Sequence, residues 1–319
     1  MVRSQRLRTA VFWLGVAAAL GMLLVLVMGA TVTTTGSAQG CGRDWPLCKG
    51  KFIPDFALAT AIEFSHRTIT GIEGVLVVTL TAAVLVLYGR QRPVQVLAPL
   101  MLGFLLLQAG MGAWAVKYPQ QPVVLALHFG ISLVALATTT LTAIYIRRPQ
   151  AVLSAPMVSG GVRLSTWATA AYLYLVVYSG AYVRHVGAAA ACPSWPLCGG
   201  SRAALGADAL AVDLAHRFAA GAALLLGFGL LVVYRRTQRA RPDLLAGGWL
   251  LIAALAAQGF AGAFLVLSGF GLSSELLHAG LTGVVFTAAA YLCLRVSVGA
   301  RSAEEAAPPS SKLVPVDAQ

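Results

Sequence analysis

Eight apolar runs of roughly 20 residues constrain this chain more than any other feature of its sequence. A helix of that length crosses a hydrocarbon core about 30 Å thick, and it satisfies its own backbone hydrogen bonds inside lipid. Because the 319 residues are 58% hydrophobic and 11% charged, the composition excludes a soluble domain. We therefore predict an all-α polytopic membrane protein with eight transmembrane helices. The runs cover residues 11–30, 71–87, 94–116, 123–146, 166–183, 214–234, 245–267 and 276–296.

The first run has a second interpretation, because it follows Arg3, Arg6 and Arg8. A basic start and an apolar stretch are also the pattern of a cleaved signal peptide. The stretch is longer than a typical signal core, and it has a counterpart later in the chain. We therefore predict a helix that stays in the mature protein.

The net charge of +12 reflects the predicted topology and not a nucleic-acid partner. With the N-terminus in the cytoplasm, eight of the 23 Lys and Arg residues fall outside and the other fifteen (23 − 8) fall inside, which is the positive-inside bias. We predict the bacterial cytoplasmic (inner) membrane, with both termini in the cytoplasm. The polar, proline-rich residues 301–319 predict a disordered cytoplasmic tail. The eight outer residues are Arg43, Lys49, Lys51, Arg67, Lys117, Arg184, Arg202 and Arg217.

The sequence repeats itself at an offset of 150 residues. Each half holds four predicted helices, so both halves insert in the same orientation, as parallel repeats do. We predict two tandem four-helix bundles, residues 1–150 and 151–300, related by a pseudo-two-fold axis along the membrane normal. The matches are "WPLC" at 45–48 with 195–198, "EFSHR" at 63–67 with "DLAHR" at 213–217, Gln108 with Gln258, Gly112 with Gly262, His128 with His278 and, at offset 151, Gly29 with Gly180 and Cys41 with Cys192.

Four of the five histidines obey this repeat and fall near the outer ends of the even-numbered predicted helices. Two imidazoles at one depth in a four-helix bundle can reach a porphyrin iron from opposite sides, so we predict haem ligation. Interfacial anchoring is the alternative, and zinc is disfavoured because each half offers too few ligands. The four are His66, His128, His216 and His278, whereas His185 has no match and is predicted to lie in a loop.

Charged residues accompany these histidines. Glu63 lies one turn before His66 on the same helix face, where its carboxylate could accept a proton or stabilise positive charge. Capping of the helix is the alternative, and Asp213 has the same two options. Arg67 and Arg217 could bind haem propionates or reach lipid headgroups.

Two acids break the repeat, because Glu73 aligns with Ala223 and Glu275 aligns with Leu125. They predict a difference between the halves, to which the pattern assigns no role. The matched glutamines and glycines predict hydrogen bonds and close packing between helices.

Two cysteine pairs, Cys41 with Cys48 and Cys192 with Cys198, lie in outward loops that enclose six and five residues. That compartment permits disulfides, and a Trp-Pro turn can bring the sulfurs together. A short loop gains little stability from a disulfide, so each pair is a structural staple or a redox-active pair. We favour the redox role for the first pair and the structural role for the second. Cys293, in the eighth predicted helix, is expected to be inert.

These features together resemble the haem A synthases of cytochrome oxidase assembly, over residues 10–300. The resemblance rests on the two four-helix halves, "EFSHR", "DLAHR", the two later histidines and "CGRDWPLC". It implies an oxidoreductase that oxidises the C8 methyl of haem O to a formyl by successive hydroxylations, giving haem A for terminal oxidases.

The resemblance also implies a role for each histidine. His66 and His128 would bracket the iron of the substrate haem, and His216 and His278 would hold the iron of a haem b. Glu63 matches the essential glutamate of the family.

In the same way, Cys41 and Cys48 match the functional cysteine pair of the family, whereas some members lack the pair at Cys192 and Cys198. The implied partners are a haem O synthase as donor, a separate electron acceptor and the lipid bilayer, and a homo-oligomer is left open. The alternative function is a di-haem b-type membrane electron-transfer protein without haem conversion. A haem transporter or chaperone comes third.

Overall fold

The computed structural model describes residues 2–55, 57–118, 121–198 and 206–299, with side chains from residue 5 onward. Regular structure in these ranges is helical, with a 3₁₀ turn at Ala188–Ala191 and no strand. The tail predicted for residues 301–319 lies outside the described residues. The α-helices are α1 (Val2–Thr34), α2 (Leu58–Tyr88), α3 (Arg92–Lys117), α4 (Pro122–Arg147), α5 (Pro149–Leu153), α6 (Gly160–His185), α7 (Ala207–Thr237), α8 (Pro242–Leu267) and α9 (Leu272–Ser297).

Seven helices of the described chain are long and apolar enough to cross a membrane, namely α1 to α4 and α7 to α9. The prediction of an all-α, multi-pass membrane protein is therefore confirmed. The eighth predicted span, residues 166–183, falls in α6, which has 26 residues but is not among the seven. Its composition explains the difference, because serine, threonine and tyrosine hydroxyls interrupt its apolar residues.

Two helices begin well before the apolar runs that predicted them. Helix α2 begins at Leu58, 13 residues before position 71, and α7 begins at Ala207, seven residues before position 214. These extra turns carry charged residues, Glu63 and Arg67 in α2 and Asp208 and Asp213 in α7, so hydropathy alone does not detect them. The prediction that His185 lies in a loop is wrong, because it is the last residue of α6.

The long helices pack in two sets of neighbours. Helix α1 contacts α2 and α4, and α3 contacts the same two helices, whereas α6 contacts α7 and α9, and α8 likewise contacts both. Contacts of α4 with α6, α1 with α9, and α4 with α9 join the sets. Apolar side chains fill both, with Met22, Leu80 and Met101 in the first and Leu244 and Leu292 in the second.

Two clusters of charged residues add links between helices that hydropathy does not predict. At the end opposite the cysteine loops, Asp243 of α8 pairs with Arg241 at 2.8 Å and with Arg295 of α9 at 2.6 Å. At the cysteine-loop end, Glu275 of α9 forms an ion pair with Arg184 of α6. Because each charge has a partner, neither cluster leaves an unpaired ion in the bundle.

Candidate functional site

Each of the four repeat-matched histidines rests against a glycine of the preceding long helix. A Cβ added to Gly180 of α6 would lie 2.6 Å from Cε1 of His216 on α7. Such close approach is what a residue without a side chain permits. The other three pairs, with the distance from the added Cβ to the ring Cε1, are Gly29 with His66 at 3.5 Å, Gly112 with His128 at 3.5 Å and Gly262 with His278 at 3.4 Å.

The histidines also come together within each set of helices. His66 of α2 interacts electrostatically with His128 of α4, and His216 of α7 interacts with His278 of α9. The matched glycines therefore have a second role besides helix packing, which the sequence repeat could have indicated. They leave room for the imidazole rings of two histidines in each set of helices.

The ring nitrogens differ between the two pairs. Nδ1 of His66 and Nδ1 of His128 are buried and have no hydrogen-bond partner in the described part of the chain. In contrast, Ser179 Oγ lies 2.9 Å from Nδ1 of His216, and Gln258 Nε2 lies 3.2 Å from Nε2 of His278. Since buried polar atoms are normally hydrogen-bonded, the first pair has capacity for a ligand that the protein itself does not use.

Gln258 also carries out the interhelical role predicted for it. Its side-chain amide donates to Thr282 Oγ1 at 2.8 Å and to the carbonyl of His278 at 3.2 Å, which ties α8 to α9. In the matched glutamine, Gln108, the buried Oε1 has no partner among the described residues. The bond from Ser179 to His216 has no equivalent in the first half, where the matched residue is Met28.

Both cysteine pairs form disulfides, Cys41 with Cys48 and Cys192 with Cys198. The Trp–Pro peptide bond inside each loop is cis. The first loop closes over the start of α2, and its Cys48 forms an isolated antiparallel bridge with Lys51. In the exposed segment that follows, a 2.7 Å hydrogen bond from Lys51 to Asp55 lowers the pKa of the Asp55 carboxyl.

Glu63 fastens this first loop to α2. The backbone N–H of Cys41 donates to Glu63 Oε2 at 2.8 Å, and Arg67 Nη2 donates to Glu63 Oε1 at 2.5 Å. Arg67 Nη1 also donates to the carbonyls of Asp44 and Leu47, each at 2.7 Å. Glu63 is only 3% exposed, so its carboxylate is held between the disulfide loop and a guanidinium, one turn from His66.

Arg217 and Asp213 hold the second cysteine loop much as Arg67 and Glu63 hold the first, with one difference at the N–H of the first cysteine. Arg217 donates to the carbonyls of Cys192 at 2.7 Å and Ser194 at 2.6 Å, and it pairs with Asp213 at 2.8 Å. Asp213 is one methylene shorter than Glu63, and among the described residues it accepts no bond from the Cys192 N–H. Both arginines therefore anchor a cysteine loop, a role that the sequence pattern did not suggest.

Gly40 lets the first loop lie directly on α2, and Gly40→Ala should displace it. A Cβ there would lie 2.7 Å from the backbone nitrogen of Thr60 and closer still to Ala59. We expect a loss of about 1–3 kcal/mol in unfolding free energy, measured as a lower thermal midpoint in detergent. The control is Gly103→Ala in α3, where an added Cβ meets no described atom within 4 Å. Equal midpoints for the two variants would contradict this assignment.

Two residues that have no counterpart in the sequence repeat, Glu275 and His185, lie at the cysteine-loop end of the helices. Glu275 also accepts a 2.5 Å hydrogen bond from Thr34, so it links α9 to α1 besides its pairing with Arg184 of α6. His185, beside Arg184, interacts electrostatically with His128. Glu275 therefore joins the two sets of helices. Glu73, the other acid that breaks the repeat, lies deeper along α2.

Residues 12–290 match the family model described as cytochrome oxidase assembly protein, COX15-CtaA. The chain belongs to the COX15-CtaA family. The matched range includes all four histidines, both disulfides, Glu63 and Asp213. The family assignment therefore covers the whole site described above and not one isolated motif.

Curated relatives of the COX15-CtaA chain carry the name haem A synthase. One, from Symbiobacterium thermophilum, is 40% identical over 291 residues, which are 87% of this chain and 93% of that protein. Another, from Geobacillus kaustophilus, is 37% identical over 94% of this chain and 98% of its own. A third, from Bacillus cereus, is 37% identical over 94% of this chain and 97% of its own. The similarity thus extends over nearly the full length of each relative.

Proposed function

We propose that this chain is a haem A synthase, which oxidises the C8 methyl group of haem O to a formyl group. The observation that carries the proposal is the duplicated pair of histidines, each against a glycine, in a chain 37–40% identical to haem A synthases. The alternative of an electron carrier without haem conversion accounts for the histidines. It does not account for Glu63 and the loop that this residue fastens.

The proposed architecture has eight crossing helices in two tandem bundles, residues 1–150 and 151–300, related by a pseudo-two-fold axis. Helix α6 is the eighth span, because its length of 26 residues exceeds the roughly 20 that a bilayer requires. The distribution of Lys and Arg supports cytoplasmic termini and outer cysteine loops in a bacterial cytoplasmic membrane. In this orientation the disulfides lie in a compartment that permits them.

The residues of both halves fit an iron porphyrin. His66 and His128 would hold the iron of the substrate haem, and their buried, unpaired Nδ1 atoms support a site that the protein alone leaves incomplete. His216 and His278 would hold a haem b, which stores or passes electrons when bound. Ser179 donates to the carbonyl of Val176, so its oxygen can accept from Nδ1–H of His216 at 2.9 Å. Such a bond orients the ring, as partners of metal-binding histidines do, and this supports a permanent cofactor in the second half.

Glu63 is the proposed catalytic residue of the first half. Its carboxylate accepts hydrogen bonds from Cys41 and Arg67, which hold it one turn from His66. A carboxylate in this position can stabilise positive charge at the C8 carbon or accept the proton that this carbon loses. Each of the two hydroxylations removes two electrons and two protons and adds the oxygen of one water molecule, with the electrons passing to a separate oxidant of the membrane. The resulting geminal diol loses water to leave the formyl group.

The first disulfide is proposed to take part in the chemistry, whereas the second is structural. The N–H of Cys41 is bonded to Glu63, so opening the disulfide to Cys48 would alter the surroundings of the catalytic carboxylate directly. The matching contact in the second half is missing from the described residues. Arg67 and Arg217, which anchor the loops, are also the cations proposed to lie nearest the haem propionates.

The proposed partners follow from the reaction. A haem O synthase supplies the substrate, and a separate oxidant of the membrane accepts the electrons. A bacterial strain that lacks its own haem A synthase but makes haem O tests the function. Expression of the full chain should restore the absorption bands of a-type oxidases in membranes, and an empty vector should not. Membranes that show only the absorption bands of b- and o-type haems after expression would contradict the proposal.

The glycine of the second half gives a specific test of haem fit. Gly180→Ala places a Cβ 2.6 Å from the His216 ring and should displace this ligand. We expect the b-type absorbance per chain to fall about 10-fold, since the loss of one well-placed interaction of about 1.4 kcal/mol has that effect. Gly229→Ala in α7, where an added Cβ meets no described atom within 4 Å, is the control. Retention of wild-type absorbance by Gly180→Ala would refute the assigned ligand.

A further inference from the structure

Glu73 is a buried acid of α2 that the proposed chemistry does not use. Its side chain is 2% exposed, and its Oε1 has no hydrogen-bond partner among the described residues. It lies within the membrane-spanning part of α2. A buried carboxyl oxygen without a partner at that depth is costly, so Glu73 is expected to have a function.

The neighbouring helix makes room for this carboxyl group. A Cβ at Gly21 of α1 would lie 2.8 Å from Cδ of Glu73 and would overlap its Oε2. His66 rests against Gly29 of the same helix. Seven residues separate His66 from Glu73, which places them on one face of α2, about 10 Å apart along its axis. Both side chains therefore lie along the same seam between α1 and α2.

The second half has different residues at both positions of the contact between Glu73 and Gly21. Glu73 corresponds to Ala223 at offset 150, and Gly21 corresponds to Tyr172 at offset 151. The Tyr172 hydroxyl donates to the carbonyl of Ala219 on α7 at 3.1 Å. The first half thus combines a small residue with an acid, whereas the second combines a large ring, already hydrogen-bonded, with a methyl group.

We propose that Glu73 binds the hydroxyl group on the isoprenoid tail of haem O and thereby selects the substrate of the first half. This inference rests on the proposed function. Haem O carries a hydroxyalkyl tail where haem b carries a vinyl group, so the hydroxyl is the polar difference between the two. A hydroxyl both donates and accepts, and it can pair with a carboxyl group in either protonation state.

The same contact explains how the two halves would sort two similar porphyrins. A site built to bond a hydroxyl discriminates strongly against an analogue that lacks it, because its own polar group is then left unpaired. Ala223 offers no such group, so the second half has no preference for the hydroxylated molecule. Glu73 is thus a specificity residue of the first half and not part of its chemistry.

Haem content tests the inference without relying on turnover. The full chain and its Glu73→Ala variant are purified from cells that make both haem B and haem O, and the extracted haems are quantified by chromatography. We expect the haem O plus haem A per chain to fall about 10-fold or more in the variant, as for a lost hydrogen bond to an acid. Haem B per chain should rise as the first half accepts it.

Thr81→Val is the matched control, because Thr81 is buried in the same helix and, within the described part of the chain, its hydroxyl bonds only to its own turn at Val77. Its haem ratio should equal that of the wild type. The b-type spectrum of the second half reports whether each variant is folded. A second variant, Tyr172→Gly with Ala223→Glu, installs the first-half arrangement and should bring haem O into the second half.

The outcomes separate the two proposals. If the wild type forms haem A but Glu73→Ala keeps the wild-type haem ratio with an intact b-type spectrum, the inference on Glu73 is wrong and the proposed function stands. If Glu73→Ala also loses the b-type spectrum, the double variant decides, and failure to gain haem O overturns the inference. If the wild type contains neither haem O nor haem A under these conditions, both proposals are overturned.

Discussion

Replacing Glu63 with Gln should lower haem A formation in cells about 100-fold or more, which is the contribution of a well-placed acid–base or charged group. Glutamine keeps the size of the side chain and retains an oxygen that can accept from the Cys41 N–H, now 2.8 Å from Glu63 Oε2. It removes the negative charge opposite Arg67. The loop should therefore stay in place while the stabilisation of positive charge is lost. The measurement is haem A per chain in membrane extracts.

Asp213→Asn provides the matched control, because Asp213 holds the corresponding position beside Arg217 in the second half. We expect this variant to form haem A at a rate close to that of the wild type. Both variants should retain the same b-type absorbance. If Glu63→Gln formed haem A as fast as Asp213→Asn, Glu63 would have no catalytic role.

Replacing the histidines in pairs should remove the two haems independently. His66→Ala with His128→Ala should abolish haem O and haem A binding and leave the b-type spectrum, whereas His216→Ala with His278→Ala should remove that spectrum. Each pair comes from two helices of one set, and axial ligands are what hold a porphyrin iron in a helical bundle. Extraction and spectroscopy of both double variants check this separation.

Two alanine substitutions at other glycines serve as controls for the effect of altering a helix in either half. Gly103→Ala and Gly229→Ala each place a Cβ where no described atom lies within 4 Å, so they alter a helix of either half without touching a histidine. Both should retain the complete haem content. A b-type spectrum that survives His216→Ala with His278→Ala would show that the ligands are assigned to the wrong half.

The sequence was sufficient for the coarse all-helical fold, and the site residues that it suggests stay a prediction. Apolar runs predicted all eight long helices, of which seven are long and apolar enough to cross a membrane, whereas hydroxyls interrupt the run in α6. The repeat predicts the histidine pairs but did not predict that the matched glycines face their rings. Hydropathy also missed the early turns of α2 and α7, which carry Glu63 and Asp213. Local composition cannot report that these polar groups are satisfied by tertiary contacts.

The hydrogen bonds of the site were beyond sequence reasoning for a similar reason. That Glu63 reaches the Cys41 amide depends on how the loop folds back onto α2, and no pattern of spacing encodes it. The contact between Ser179 and His216 joins residues of two helices. The repeat did indicate where the halves differ, at Glu73 and Glu275, but only the packing of Gly21 and Arg184 suggests what those differences do.

The account depends most on the conversion of haem O by this chain. Membranes that contain the full chain and a supply of haem O can be sampled over time, and the extracted porphyrins analysed by chromatography with mass detection. We expect haem O to decrease as a product appears that has gained one oxygen and lost two hydrogens, with haem B constant. The Glu63→Gln variant should leave haem O unchanged. If haem O stayed unconverted in membranes with the wild-type chain, although haem B was bound, the chain would be a haem-binding protein and not a haem A synthase.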